Sequence, residues 1–430
     1  MTFFTFTVPF IFFIFIGTVL SSLVFRGRSE HVLARKVFFV SLLTYFVYGI
    51  IAYLSYLSND GFFQYQDQNH FLEVSNHLGD LSNVYYIYKA CFIDRIHIEN
   101  EGAYFYVGLI GYFANTFLEG NNVFIQIVNV SFIASLIPLF VFKILLRYVS
   151  PKVAFKSALA YVFYSYTFYY SPWLLRDIHI SFLYVIGLTI LTGSFTKIRV
   201  MFLILLMLVT MMFRLEHGIF FAFIPLLYIY EQVKDRKVLR FLMFSLGISI
   251  LAFFARVIID NLLVINDLLN RYQEFTLNSS NSDGLGRRLL QLPNGIRQIA
   301  SAIYSQISPF PSWNLALKGN DAFQVIIGVV QMISPIYWFV VWFCVIKCLM
   351  IKSFRNSLPR ILVILLFVFI TFLIANSSNA NVRRLMCLYP VLFVIYVYAR
   401  SKMPWKVKKS NIQAILLYLG LCVLYFFIKV

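Results

Sequence analysis

The sequence has little charge, and only a small part of that charge is acidic. Only 13% of the 430 residues are charged, with 18 Asp and Glu against 36 Lys and Arg, whereas 60% are hydrophobic. Too few polar residues remain to cover a soluble globule, and the apolar runs are repeatedly long enough to cross a bilayer. The shortage of charge therefore excludes a soluble domain. It predicts an all-α, polytopic integral membrane protein with a single transmembrane domain over residues 1–430.

Cysteine is scarce as well. The five cysteines include only one in a polar stretch, Cys91, and no CxxC motif or Cys/His pair is present. A zinc site or a disulfide framework needs such spacings. We therefore expect no metal, no cofactor and no disulfide chemistry.

A long basic patch is also absent, although the net charge is +18. The Lys and Arg residues are scattered in short clusters between apolar runs, which is the pattern of the positive-inside rule and of contact with membrane lipids. We therefore expect no nucleic-acid partner, a cytoplasmic position for the clusters, and an amino terminus that lies outside. The clusters lie at 26–36, 143–156, 197–199, 234–240, 347–360 and 400–409.

The apolar runs predict about 12 transmembrane helices. Residues 103–117 are also apolar, but counting them as a crossing would place the basic residues around Lys152 outside. We therefore interpret 103–117 as a re-entrant or interfacial segment. The predicted spans are 2–25, 37–57, 123–146, 157–173, 178–195, 200–213, 219–230, 241–264, 323–346, 361–375, 385–399 and 412–428.

The loop 58–102, which is predicted to lie outside, is rich in Asp and Glu. Within it, Phe71, Val74 and Leu78 recur at helical spacing and have polar residues between them. This pattern predicts a short amphipathic helix that lies on the membrane. Asp67 would sit just before the first turn of that helix.

A second outer loop, 266–321, contains the flexible run NSSNSDGLG and then another amphipathic stretch. The predicted apolar face of that stretch consists of Ile296, Ile299, Ala300, Ile303 and Ile307. Neither outer loop is long enough for a separate globular enzyme. Any chemistry must therefore occur at the membrane surface, in a cavity that the two loops cover.

Four segments of the sequence resemble segments of a known protein family. They are DQNHFLEVSNHL at 67–78, EGAYFYVGLIGYFANTFLEGNNVFIQIVNV at 101–130, SPWLLRDIHISFL at 171–183 and NVRRLMCLYPVLF at 381–393. In this order they resemble the first outer loop, the following span, a short outer turn and the late Arg-plus-Pro segment of GT-C superfamily glycosyltransferases. Bacterial surface-polysaccharide polymerases and O-antigen-modifying transferases are the most similar in style. One difference is that two spans precede the acidic loop, where many GT-C proteins have one.

The resemblance implies a membrane glycosyltransferase that uses a polyprenyl-(di)phosphate-linked sugar donor and a lipid-linked acceptor glycan. Such an enzyme works on the outer face of the bacterial inner membrane, in O-antigen or capsule biosynthesis. A polysaccharide chain-length regulator or a flippase is the expected protein partner.

A transfer of this kind needs a carboxylate that accepts the proton of the acceptor hydroxyl. Asp67 is the first candidate, because it lies at the start of the predicted interfacial helix. Asp60 is the second candidate, since the additional leading span makes the register of the motif uncertain, and Asp94 is the third. The competing interpretation is that Asp67 only caps its helix.

The transfer also needs cations that bind the departing lipid phosphate, and the guanidinium fork of arginine suits phosphate oxygens. Two alternatives remain open: Arg176 could simply pair with Asp177 in a tight turn, and Arg214 could pair with Glu216. The candidate cations on the predicted outer side are Arg176, Arg214, Arg256, Arg271, Arg287, Arg288, Arg297, Lys318, Arg383 and Arg384.

A lipid-linked oligosaccharide flippase or another secondary transporter is the alternative function. Such proteins often contain two similar halves and place charges near the middle of the membrane. This chain has no convincing internal repeat, and its polar residues are concentrated in two unequal outer loops, which favours an enzyme. A noncatalytic subunit of a polysaccharide assembly machine is a third interpretation.

Overall fold

The computed structural model describes residues 3–25, 29–61, 63, 66–94, 101–118, 120–233, 241, 245, 292–293, 296–306, 310–313, 321–375 and 382–429. Every regular element in these residues is helical, so the predicted all-α class is confirmed for the described chain. The predicted span 241–264 falls almost entirely outside the described residues.

The described α-helices are numbered in chain order. They are α1 (Phe3–Val24), α2 (His31–Ser58), α3 (Gln66–Gly79), α4 (Val84–Tyr88), α5 (Glu101–Phe117), α6 (Val123–Leu145), α7 (Pro151–Tyr164), α8 (Tyr166–Tyr170), α9 (Arg176–Leu191), α10 (Lys197–Phe213), α11 (Leu215–Phe221), α12 (Phe223–Val233), α13 (Ile296–Ser305), α14 (Ala322–Leu349), α15 (Lys352–Ser357), α16 (Arg360–Ala375), α17 (Tyr389–Lys402) and α18 (Pro404–Lys429). A π-helical turn, Lys89–Ile93, continues α4, and a 3-10 helix, Val382–Leu388, precedes α17.

Five of the described helices are long and apolar enough to cross a membrane, namely α1, α2, α6, α14 and α18. Other predicted spans fall on shorter helices such as α9 and α10, or on residues outside the described ranges. Length and composition therefore support a membrane protein with five candidate spans in the described chain. The count of about 12 stays a prediction.

Helix α6 lies at the centre of the bundle, because almost all of its side chains are buried. Asn122 starts the helix, and its side chain accepts a hydrogen bond from the Ile125 amide at 3.1 Å. A small polar residue joins α6 to its neighbour, since Ser41 Oγ in α2 donates to the Ser135 carbonyl at 2.8 Å. Helices α2, α7 and α9 pack around this central helix.

Several of the predicted basic clusters meet at one end of the bundle, which we call the basic end. Lys143 Nζ, near the end of α6, donates to the carbonyl of Val24 at the end of α1 at 2.9 Å. Tyr398 contacts the ring of Tyr148, and its hydroxyl donates to the Ser357 carbonyl at 2.8 Å. These contacts join the chain regions before or within four of the six basic clusters.

At the other end of the bundle, which we call the opposite end, α2 finishes and α14 starts. Ser58 Oγ donates to Asp321 Oδ2 at 2.9 Å, so these two helix ends lie side by side. Asp321 also starts α14, because its Oδ1 accepts from the Gln324 amide at 2.7 Å. The start of α6 lies at this opposite end, since Lys143 near its other end is at the basic end. Ser131 Oγ in α6 donates to the Ser171 carbonyl before α9, and Arg176 joins the start of α9 to the end of α10.

Helix α3 is the amphipathic helix predicted in the first outer loop, and its apolar residues Phe71, Val74 and Leu78 are buried. They pack against α5 within the protein. The apolar face is therefore covered by protein, whereas the sequence predicted that it lies on lipid. Asp67 lies inside the first turn of α3 rather than before it. The predicted re-entrant or interfacial segment 103–117 forms α5, and its position in the membrane stays a prediction.

Glycines allow α3 and α5 to approach almost backbone to backbone. A Cβ atom added to Gly111 would lie only 2.5 Å from the Ser75 carbonyl oxygen, and one added to Gly79 would lie 2.8 Å from the Gly111 carbonyl carbon. Ser75 Oγ completes the contact by donating to the Val107 carbonyl at 2.8 Å. The two helices therefore form one tightly packed pair at the opposite end.

Helix α13 is the amphipathic stretch predicted in the second outer loop. Its residues Ile296, Ile299 and Ile303 are exposed, whereas Ala302 and Ser305 are buried. The helix thus packs through its small residues, mainly against α16, and turns its isoleucine face outward. An outward apolar face is the arrangement expected of a helix in contact with lipid.

Candidate functional site

Charged side chains from four separate parts of the chain meet at the opposite end. Asp67 comes from the first turn of α3, Asp177 from the first turn of α9, and Arg383 from the 3-10 helix. Arg214 and Glu216 come from the junction of α10 and α11. We call these five residues the ion network.

Asp177 is the centre of the ion network, because it holds two guanidinium groups. Its Oδ1 lies 2.9 Å from Arg214 Nη1, and its Oδ2 lies 3.9 Å from Arg383 Nε. Arg383 also forms an ion pair with Asp67 through its Nη2 atom. Arg214 Nε lies 3.4 Å from Glu216 Oε1. The network therefore joins Asp67 to Glu216 through alternating carboxylates and guanidinium groups.

The local backbone explains why Arg214 points into the bundle. Helix α10 ends when the Arg214 amide donates to the Thr210 carbonyl at 2.9 Å, and α11 starts when the Gly218 amide donates to the Arg214 carbonyl at 3.1 Å. Arg214 itself is extended, with φ −166° and ψ 119°. A single extended residue thus separates two helices and turns a long cationic side chain inward.

Burial divides the ion network into an inner part and a rim. The side chains of Asp177 and Arg214 are 3% and 4% exposed, and that of Arg383 is 18% exposed. Those of Asp67 and Glu216 are 54% and 42% exposed. The inner part therefore holds two cations and one anion, and its compensating carboxylates lie at the rim. Because a buried charge without a counterion is costly, the two buried guanidinium groups depend on these rim carboxylates as well as on Asp177.

The charges keep Asp177 ionised despite its burial. Burial raises the pKa of Asp177, but the neighbouring cations Arg214, Arg383 and Arg176 outweigh this effect and lower the pKa to about 2. The N-terminal end of α9 also favours a negative charge at this position. Burial acts to lower the pKa of Arg383, yet Asp177 and Asp67 together raise it. Both groups are therefore charged at neutral pH.

Three residues predicted from the sequence, Asp67, Arg214 and Arg383, belong to the ion network. Arg176 lies beside it, where its Nη1 donates to the Phe213 carbonyl at 3.4 Å and links the start of α9 to the end of α10. The predicted alternative in which Arg214 pairs with Glu216 is correct, but it is incomplete because Arg214 also holds Asp177.

The second catalytic candidate, Asp60, is not part of the ion network. It is exposed in the turn after α2, has a positive φ of 53°, and makes no ion pair with any residue that the structure describes. Arg297 lies in the first turn of α13, and Arg384 lies in the 3-10 helix beside Arg383. Five other predicted cations fall outside the described residues, namely Arg256, Arg271, Arg287, Arg288 and Lys318.

Asp177 was not a sequence candidate, because it adjoins Arg176 and the two could be read as a simple pair. In the folded protein its carboxylate reaches residues that follow it by 37 and 206 positions instead. The only sequence signal was an acidic residue on the outer side with no lysine or arginine at i+3 or i+4. Such a signal is too weak to identify a bridging carboxylate.

A buried polar cluster between α3, α5, α6 and α9 was also missed. Tyr106 Oη donates to Asn129 Oδ1 at 2.8 Å, and the Leu174 amide donates to Gln68 Oε1 at 3.3 Å. A cavity lined by Tyr106, Arg176 and His179, among others, has room for about one water molecule. Gln68 is fully buried in α3, one residue from Asp67. Its hydrogen bond with Leu174 therefore fixes the first turn of α3, which carries Asp67.

The ion network can bind an anion and accept a proton. Guanidinium groups bind phosphate through paired hydrogen bonds, and a partly exposed carboxylate can take a proton from a hydroxyl group. Both kinds of group lie in direct contact, because Arg383 holds Asp67. An anion bound at Arg383 would therefore lie next to a proton acceptor.

No group of three metal-ligating side chains occurs within the described ranges. No protein-family model, no curated protein and no solved structure matches this chain.

Proposed function

We propose that this protein is a membrane glycosyltransferase of the polysaccharide-polymerase type. It transfers sugar or oligosaccharide units from a polyprenyl-(di)phosphate-linked donor to a lipid-linked acceptor glycan, in O-antigen or capsule biosynthesis. The observation that carries the proposal is the chain of ion pairs that joins the rim carboxylate Asp67 to Arg383 and, through the buried carboxylate of Asp177, to Arg214. A base and an anion site lie together at one end of the bundle.

In the proposed reaction, the acceptor hydroxyl attacks the anomeric carbon of the donor sugar. A new C–O bond forms while the bond between that carbon and the phosphate oxygen breaks, and the electron pair leaves with the lipid (di)phosphate. Asp67 accepts the hydroxyl proton and later releases it to water. Arg383 and Arg214, with Arg176 beside them, stabilise the negative charge of the leaving phosphate.

The proposed topology has about 12 spans, with the ion network on the outer face of the bacterial inner membrane. The loops 58–102 and 266–321 lie on that face, and the basic clusters face the cytoplasm. Two observations support this topology: basic regions share one end of the bundle, and the ion network occupies the other. In this topology, a polyprenyl phosphate reaches the opposite end of the bundle with its headgroup while its hydrocarbon chain stays in the membrane.

A polymer assay in cells tests the proposal directly. Asp67→Asn preserves the size of the side chain but removes its proton-accepting charge, and general-base catalysis typically contributes about 100-fold to 10,000-fold. We expect this variant to lose nearly all surface-polysaccharide extension. Gel analysis of the extracted polysaccharide, with protein level measured in the same membranes, gives the result.

Glu73→Gln is the matched control, because Glu73 is an exposed carboxylate on the same helix as Asp67. It should extend polysaccharide at the wild-type rate. Asp60→Asn is assayed in parallel. If Asp60→Asn is inactive while Asp67→Asn is active, Asp60 and not Asp67 is the base. Normal extension in both aspartate variants would reject the glycosyltransferase proposal and favour the flippase or transporter alternative.

A further inference from the structure

The pair of Asp67 and Arg383 is the outermost contact of the ion network. Asp67 is about half exposed, whereas Arg383 is mostly buried and has a second carboxylate, that of Asp177, behind it. The two partners are 316 residues apart in the sequence. Asp67 can therefore leave Arg383 without exposing a buried carboxylate, as Glu216 could leave Arg214 at the other rim position.

The charge balance shows what could take the place of Asp67. Without it, the positive charges of Arg383 and Arg214 would be balanced by Asp177 and Glu216, and Arg176 nearby would leave one positive charge in excess. A phosphate group supplies the missing negative charge, and the guanidinium fork binds carboxylate and phosphate with similar geometry. The Asp67 carboxylate thus occupies the position on Arg383 that a phosphate oxygen would take.

The same contact limits Asp67 as a base. Its Oδ2 atom is held by Arg383 Nη2, so this oxygen is directed towards the inner part of the network and not towards an acceptor. Asp67 therefore has to leave Arg383 before it can accept the proton of an acceptor hydroxyl. The structure contains a reason for it to leave, since a phosphate competes for the same nitrogen atoms.

We propose that Asp67 and the donor phosphate compete for Arg383. In the resting protein Asp67 closes the anion site, and the arriving phosphate takes Arg383 and releases the Asp67 carboxylate towards the acceptor. This inference rests on the proposed function and adds an order to it. The donor binds first, and the base is released only when a donor is present.

The test is binding of a polyprenyl monophosphate without sugar to the purified full-length chain in lipid nanodiscs. Competition predicts that Asp67→Asn binds this probe about threefold to tenfold more tightly than the wild type, because an ion pair no longer has to break. Arg383→Gln should weaken binding by at least about tenfold, since the shared cation is lost. Glu73→Gln, which removes one exposed carboxylate from the same helix, should bind like the wild type.

Each result has a distinct meaning. If Asp67→Asn binds the probe as the wild type does, or more weakly, while Arg383→Gln still loses binding, the competition is wrong and the proposed function stands. Equal tightening in Glu73→Gln would indicate a general effect of surface charge and would also overturn the competition. If the wild type does not bind the probe at all, both the competition and the proposed function fail. Melting temperatures of all variants show whether each remains folded.

Discussion

The two ends of the bundle differ in the partners of their charged side chains. At the basic end, Lys143 and Lys347 donate to uncharged oxygens, the Val24 carbonyl and Gln413 Oε1, at 2.9 and 2.6 Å. At the opposite end, Arg214 and Asp177 are buried and hold each other. A cation beside water needs no particular partner, whereas a buried cation needs a carboxylate in a fixed position. The basic end therefore needs only a certain number of positive charges, whereas the opposite end needs each charge in a fixed position.

The comparison fails if the two ends do not face opposite sides of a membrane. We expect Ser82→Cys, an exposed position of the first outer loop, to react with a membrane-impermeant maleimide in intact spheroplasts. Ser353→Cys, an exposed position in α15 at the basic end, should react only after permeabilisation. The expected difference is nearly all or none, because the membrane blocks the reagent.

The unmodified chain is the blank for this labelling, since its five cysteines are buried. Labelling of Ser353→Cys alone in intact spheroplasts would show that the topology is the reverse of the predicted one and that the ion network faces the cytoplasm. Labelling of both variants in intact spheroplasts would show that the two ends are not separated by the membrane.

The next largest expected effect concerns stability. Asp177→Asn leaves Arg214 and Arg383 without their shared inner carboxylate, and removing one partner of a buried ion pair typically costs about 3–5 kcal/mol. Lys409→Gln, an exposed change at the basic end, should alter the free energy of unfolding by no more than about 0.5 kcal/mol. Unfolding of the purified protein in detergent, followed by circular dichroism, compares the two. Similar effects of both changes would contradict the difference between the ends.

The smallest expected effect is a dependence on pH. The pKa of Asp177 is lowered to about 2 from its ordinary value of 3.8, so its ionised form stabilises the fold above pH 4. That contribution is lost as the pH falls from about 4 to about 2. It amounts to roughly 2 kcal/mol, because one pKa unit corresponds to about 1.4 kcal/mol.

Asp177→Asn isolates this contribution from those of other carboxylates. Between pH 4 and pH 2 the wild type should lose roughly 2 kcal/mol more of its unfolding free energy than the variant does. An identical loss in both proteins would show that Asp177 does not have a depressed pKa.

The sequence predicted local features better than distant contacts. The spacing of Phe71, Val74 and Leu78 predicted α3, because helical periodicity is a local property. It could not show that α5 would cover this face, since that contact depends on how closely Gly111 lets the two helices approach. The same limit explains the orientation of α13, whose periodicity was visible but whose buried side was not.

The candidate site was predicted in parts and not as an arrangement. Asp67 was selected because it lies at the start of the predicted interfacial helix, and Arg383 because its guanidinium fork suits phosphate oxygens on the predicted outer side. Their pairing across 316 residues is a product of the tertiary fold. Asp177 was missed for a related reason: its nearest cation in the sequence, Arg176, obscured the more distant partners that it actually holds.

The order of the network residues along the chain has a consequence for biosynthesis. Asp177 and Arg214 belong to the consecutive helices α9 and α10 with the start of α11, so their charges can neutralise each other within one helical hairpin as it enters the membrane. Arg383 follows about 170 residues later, in the 3-10 helix before α17. The predicted insertion of α9 and α10 would therefore carry Arg214 and Asp177 into the membrane as a neutral pair, before Arg383 has been synthesised. A nascent chain that has not reached the 3-10 helix has the inner pair of the network but lacks the Arg383 contact with Asp67.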